Sequence, residues 1–255
     1  MKLKKYQRSG IKEIVITGIH IASYGKDFKE NIGLIDLLEE INKIENIKRI
    51  RLSSLEPVII TNEFIQRLSK LEKICDHFHL SLQSGCNDTL KRMNRRYTTQ
   101  EFEQSVKEIR KYYPNAAITT DIIVGFPGES EEEFEITYNF LSKIKFYKMH
   151  IFKYSKRKGT KAAIMEGQIN NNIKEQRSAK LIDLSNTNQK EYNSQYIGKK
   201  IEVLFEERNN NYIKGHTTNY IVVEVETKEP IEGLIKNVEI IGFEDEKLIG
   251  KLCDM

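Results

Sequence analysis

Asp121-Ile-Ile-Val-Gly125-Phe-Pro-Gly128-Glu129 places a carboxylate, two glycines and a proline at the end of an apolar run. Asp121, Ile123 and Gly125 alternate, so on a strand they share one face. A carboxylate facing inward needs a partner or a ligand. A hydrogen bond to a neighbour such as Gln83 meets that need, and so does a bound molecule. Gly125 and Gly128 admit backbone angles closed to other residues, and Pro127 drives Phe126 out of the helical region. The stretch suits a capped βα turn and a cofactor site equally. Glu129, Glu131, Glu132 and Glu133 crowd the following helix start. That disfavours a phosphate there and favours a neutral or cationic ligand.

Two basic clusters could meet a polyanion: Lys91, Arg92, Arg95 and Arg96, then Lys153, Lys156, Arg157, Lys158 and Lys161. The second follows a strand and could hold RNA backbone phosphates, although such runs are usually solvated loops. His77 and His79 are two apart and face one way on a strand. With no third ligand at a suitable spacing they read as packing residues, not a metal pair. His20 sits at another strand exit. Cys75, Cys86 and Cys253 fit neither a disulfide framework nor a metal pattern. No Walker loop, dinucleotide fingerprint or nucleophile elbow is present.

These residues need a frame. Stretches 12–18, 47–54, 77–83, 116–125 and 146–155 are β-rich and alternate with amphipathic helices. Phe64, Ile65, Leu68 and Leu71 share one helix face; Phe102, Val106, Ile109 and Tyr113 share another. Thr98 with Glu101 and Ser130 with Glu133 are capping-box starts. The alternation predicts parallel strands with right-handed crossovers, and ligand sites at their C-terminal ends. All five strand exits are rich in Gly, Ser and polar groups. Residues 170–195 read as a polar connecting helix, and the period-2 segments after it as a small all-β barrel. The fold class expected is therefore α/β followed by a β-barrel, in three parts: 1–169, 170–195 and 196–255.

Of the 255 residues, 39% are hydrophobic and 31% charged, and no apolar run is long enough to span a membrane. No signal-peptide pattern follows the basic N-terminus, so a cytoplasmic location is expected. The last part carries eight Lys/Arg against twelve Asp/Glu, net −4, which leaves +8 on the rest.

"HLSLQSGCNDTLKRMNRRYT", "TTDIIVGFPGESEEEF" and "YSKRKGTKAA" resemble the radical S-adenosylmethionine methylthiotransferases that modify tRNA. "EIVITGIHIASYG" and "RLSSLEP" are most similar to the branch acting on N6-threonylcarbamoyladenosine beside the anticodon. The resemblance implies a partial (β/α)6 radical SAM barrel followed by a TRAM barrel that holds RNA. It implies S-adenosylmethionine against Asp121, Ile123, Gly125 and Gly128. Gln83 and Ser84 would line the pocket, and Gly18 would lie near the methionine end. Lys153, Lys156, Arg157, Lys158, Arg95 and Arg96 would face tRNA. In such enzymes a 4Fe–4S cluster cleaves the cofactor to a radical, which activates C2 of the adenine for methylthio insertion.

The departure from the family is as specific as the match. The family's Cys-x-x-x-Cys-x-x-Cys run does not occur, and thiolates are the ligands such a cluster requires. The chain therefore reads as a C-terminal fragment, lacking the first barrel strand and a sulfur-donating N-terminal domain that a separate chain could supply. An open barrel would expose strand edge and core. The alternative is a non-catalytic RNA-binding protein; a barrel enzyme for a phosphate-bearing substrate is disfavoured by the acidic helix start.

Overall fold

The computed structural model describes residues 10–18, 20–29 and 32–253. Five strands, β1 (Glu13–Ile16), β2 (Arg49–Leu52), β3 (His77–His79), β4 (Ala117–Val124) and β5 (Lys148–Lys153), lie side by side in chain order. β1 pairs with β2, and β3 with β4 and β5, all in parallel. Single parallel bridges, Ile50 to Ile74 and Leu55 to Leu80, join the two sheets. Helices α1 (Leu34–Asn42), α2 (Asn62–Leu68), α3 (Asn87–Arg92), α4 (Thr99–Tyr112) and α5 (Glu131–Ile144) connect them.

The capping boxes form as the sequence requires. Thr98 Oγ1 accepts from the Glu101 amide at 3.2 Å, while the Glu101 carboxylate accepts from the Thr98 amide at 2.7 Å. Ser130 and Glu133 repeat the pattern at α5. Phe64, Ile65 and Leu68 of α2, and Phe102, Val106 and Ile109 of α4, enter one core with Phe78, Ile118 and Ile122. Each such side chain contributes about 1.5–3 kcal/mol relative to exposure. The helix between β3 and β4 is divided: α3 stops at Arg92, Asn94 takes φ +59°, and α4 starts again at Thr98. The outermost strands each leave an apolar side chain open, Val15 on β1 at 54% and Phe152 on β5 at 53%.

A four-residue helix α6 (Lys161–Ile164) precedes the long helix α7 (Asn171–Ser194). Its buried side is mostly polar, with Lys174, Arg177, Ser185, Asn188, Gln189 and Asn193 beside Leu181. Ser185 Oγ accepts from the Met149 amide at 3.0 Å, which seats the helix on β5. β6 (Lys200–Asn209), β7 (Tyr212–His216), β8 (Val222–Glu226), β9 (Ile235–Glu244) and β10 (Lys247–Leu252) then close a five-stranded barrel in the order β10-β8-β7-β6-β9. Val203, Phe205, Ile213, Val223, Val238 and Ile240 fill it, in the alternation the sequence shows.

The barrel docks on the N-terminal ends of the parallel strands, where Ala117 and Tyr147 join its core. Two inward arginines of β2 fasten it. Arg49 donates to the carbonyls of His216 at 2.7 Å and Glu202 at 3.1 Å. Arg51 pairs with Glu13 at 2.7 Å, donates to the carbonyls of Thr217 and Thr218, and lies 4.5 Å from the Tyr220 ring centroid. Among the described residues no helix is long and apolar enough to cross a membrane.

Removing one member of a buried ion pair typically costs about 3–5 kcal/mol. Arg51→Ala should lose that much in urea unfolding followed by circular dichroism. Arg51→Lys should recover little, because an ammonium cannot reproduce the planar fork that reaches a carboxylate and two carbonyls together.

Candidate functional site

The C-terminal ends of β4 and β5 enclose a cleft of about 650 Å³. Ile123, Phe126, Phe152 and Tyr154 give it apolar walls, and Gln83, Asp121, Lys153 and Arg157 give it polar groups. Asp121 and Ile123 reach it because they are two apart on β4. Gln83 reaches it because its backbone, at φ +72°, bridges to β4: its amide donates to the Asp121 carbonyl and its carbonyl accepts from Ile123. The Asp121 carboxylate finds its partner in His79, with Nε2 at 3.4 Å, and not in the Gln83 side chain. The His79 ring holds the Asp121 carboxyl below its ordinary value.

The exit from β4 is tightly built. Gly125 takes φ +70°, the left-handed region open to glycine, and its amide donates to both oxygens of the Glu129 carboxylate at 3.1 Å. Arg177 of α7 donates to that carboxylate at 2.7 Å, to the Glu129 carbonyl at 3.0 Å, and to Glu131 at 2.9 Å. Burial pushes the Glu129 carboxyl up, opposed by the Gly125 amide and Arg177. Arg92 of α3 pairs with Glu133 and donates to the Pro127 carbonyl at 3.2 Å. Three of the four glutamates are thus paired with arginines within the fold, and the carboxylate that lines the cleft is Asp121.

The other expected residues fall in different places. Gly125 lies beneath the aliphatic chain of Lys174, whose Nζ donates to the Tyr154 carbonyl at 3.0 Å. Gly128 faces Arg92, and its amide donates to the Gly167 carbonyl. Ser84 is buried against Thr137, with the two hydroxyls 3.3 Å apart, and accepts from the Cys86 amide. None of the three is among the residues that line the cleft. Gly18 is exposed past the end of β1 and does not line it. Lys156, Arg157 and Lys158 are exposed on the loop after β5, while Lys153 pairs with Glu175 at 2.5 Å. Arg95 and Arg96 are exposed, and Arg95 lines a smaller hollow with His20, Glu56 and Ser81.

Sequence spacing missed one grouping. His79, Asp121 and His150 bring one potential ligand atom each to within 4.8 Å of one another. They come from three strands, so only the parallel register unites them. His77 stays apart: burial pushes its imidazole down to about 3, and its Nε2 lies 3.1 Å from Thr119 Oγ1.

The sequence profile of the Radical SAM superfamily matches residues 1–141, more than half of the chain. The chain belongs to that superfamily. Over 239 residues it is 45% identical to the threonylcarbamoyladenosine tRNA methylthiotransferase of Bacillus subtilis, a match covering 91% of this chain and 53% of that protein. It is 38% identical over 253 residues to the tRNA-2-methylthio-N(6)-dimethylallyladenosine synthase of Caldicellulosiruptor saccharolyticus, covering 98% and 54%. The chain thus spans about half the length of these relatives. Among solved structures, coproporphyrinogen III oxidase from Escherichia coli superposes with a TM-score of 0.45 at 16% identity, covering 64% of this chain and 38% of that one.

The cofactors the superfamily implies can be set against these residues. Apolar walls beside one carboxylate suit a purine with its ribose diol, so the cleft fits S-adenosylmethionine. The cysteines do not fit an iron–sulfur cluster. Cys75 and Cys86 are buried, and burial pushes the Cys75 thiol up to about 12, away from the thiolate a cluster needs. Among the described residues no set of three adjoining candidate ligands contains two cysteines.

Arg177 and Lys180 offer a direct comparison on one helix. Arg177→Ala would strand a buried carboxylate and should cost about 3–5 kcal/mol in thermal or urea unfolding. Lys180→Ala breaks a half-exposed pair with Glu135 and should cost less than about 1 kcal/mol.

Proposed function

We propose that this chain is the cofactor- and RNA-facing part of a tRNA methylthiotransferase acting on N6-threonylcarbamoyladenosine. The observation that supports this most directly is the cleft at the C-terminal strand ends, with one carboxylate between apolar walls and a basic loop beside it. Residues 1–169 would serve as a partial radical SAM core, 170–195 as its connecting helix and 196–255 as a TRAM-like barrel. When bound, S-adenosylmethionine supplies the radical and methyl chemistry together with iron–sulfur clusters.

The chain's own residues bind and orient. Asp121 accepts hydrogen bonds from ribose hydroxyls, and Ile123 and Phe126 cover the adenine. Gln83 closes one wall, and Gly18 stands toward the methionine end. Ser84, Gly125 and Gly128 hold that wall in place. Lys156, Arg157 and Lys158, with Lys153, Arg95 and Arg96, meet tRNA phosphates. Cluster ligands come from outside this sequence, in a longer chain or a separate one, and the work takes place where tRNA is, in the cytoplasm.

Losing a charge-assisted hydrogen bond costs about 1.5–3 kcal/mol. Asp121→Asn should therefore weaken S-adenosylmethionine binding roughly tenfold to a hundredfold by calorimetry, while Ser84→Ala leaves it within about twofold. Equal affinity in Asp121→Asn would remove Asp121 from the pocket.

Each phosphate contact adds roughly 0.7–0.9 to the slope of log affinity against log salt. Replacing Lys156, Arg157 and Lys158 by Gln should lower the slope for tRNA by about two to three. Absence of tRNA binding at low salt would end the RNA assignment.

The cysteine placement also favours the second reading, RNA binding without turnover by this chain alone. The purified chain should then release no 5′-deoxyadenosine from S-adenosylmethionine under reducing conditions. Cluster-dependent release would refute it.

A further inference from the structure

The layer of the parallel strands below the cleft carries a donor set of its own. In the β3–β4 register His79 stands opposite Thr119, and in the β4–β5 register Asp121 stands opposite His150. Thr119 and Asp121 are two apart, so all of these side chains project from one face at neighbouring levels. The three donor atoms converge within 4.8 Å of one another. His79 is the anchor: its side chain is 14% exposed, Nδ1 lies 3.0 Å from Thr119 Oγ1, and Nε2 lies 3.4 Å from Asp121 Oδ2. A ring fixed at one nitrogen presents the other in a set direction, which is how metal-ligating histidines are commonly held. His79 and His150 also line a separate hollow of about 380 Å³, roomy enough for water to reach the same point.

We propose that His79, Asp121 and His150 form an open three-ligand site for a divalent transition-metal ion. Two imidazoles and one carboxylate suit zinc, cobalt or ferrous iron, whereas magnesium and calcium prefer all-oxygen shells. Three protein ligands with a side open to solvent leave coordination positions for water or a substrate oxygen, the pattern of catalytic sites and not of closed structural ones. The site is independent of the cysteines and of any iron–sulfur cluster. It shares Asp121 with the proposed cofactor cleft but rests on His79 and His150, which do not line that cleft.

The test is a titration of the full chain, stripped with chelator, with Co2+ under anaerobic conditions and without S-adenosylmethionine. The expected result is a visible cobalt ligand-field spectrum saturating at one ion per chain and abolished by one equivalent of Zn2+. His150→Gln, at an exposed position, should weaken Co2+ at least tenfold with an unchanged melting curve. Thr119→Val should weaken it by a smaller factor. His79→Gln should remove the spectrum. No saturable spectrum in the parent chain, or a spectrum unchanged in both His79→Gln and His150→Gln, overturns the assignment. Because the readout needs neither cofactor nor RNA, failure here leaves the methylthiotransferase reading untouched, and failure of that reading leaves this one standing.

Discussion

The pairing of Arg177 with Glu129 is the constraint on which the cleft depends. Both side chains are buried, at 6% and 5% exposure, so each charge is held where water cannot compensate it. Glu129 spends its other capacity on the Gly125 amide, the donor exposed as β4 turns. One carboxylate thereby satisfies a strand exit that would otherwise leave a buried donor unpaired, which is costly. Arg177 in turn carries α7 across the turn and brings Lys174 over Gly125 and onto the Tyr154 carbonyl. Phe126 then meets Tyr154 edge-on at 5.3 Å, and these two rings form a wall of the cleft. Helix, turn and wall meet at this buried ion pair, with Ser185 and Lys174 of α7 adding bonds of their own.

That pairing also shows where sequence reasoning succeeds and where it stops. Alternation located all five parallel strands, and 3.6-residue periodicity found the core faces of α2 and α4, because those signals depend on each segment's own side chains. Capping boxes were legible for the same reason, since Thr98 and Glu101 satisfy each other locally. The glutamates after Gly125 were a different matter. As a string they are a cluster of negative charge; in space Arg92 and Arg177, one from each side in the chain, pair with three of the four and offset half of it. The Asp121 partner was likewise hidden. Gln83 was a reasonable neighbour, and its backbone does bridge to Asp121, yet the carboxylate turns to His79. His150 lies 29 positions from Asp121, and only the register of β4 on β5 joins them. Contacts made across strands carry no fixed spacing, and motif spacing cannot recover them.

The two ends of the parallel strands divide the molecule's tasks. The cleft and the basic loop lie at the C-terminal ends, and the β-barrel is clamped to the N-terminal ends by Arg49 and Arg51. Across the eight residues of β4 that separation amounts to roughly 25 Å, at about 3.3 Å per residue. The charge is distributed in the same sense, with −4 on residues 196–255 and +8 on the rest. Long-range attraction of a polyanion must therefore come from the strand body and its loops, since screened Coulomb attraction follows net charge within a Debye length or so. A barrel of opposite sign cannot supply that capture. The buried arginines therefore hold the acidic barrel at the end of the strands opposite the basic loop.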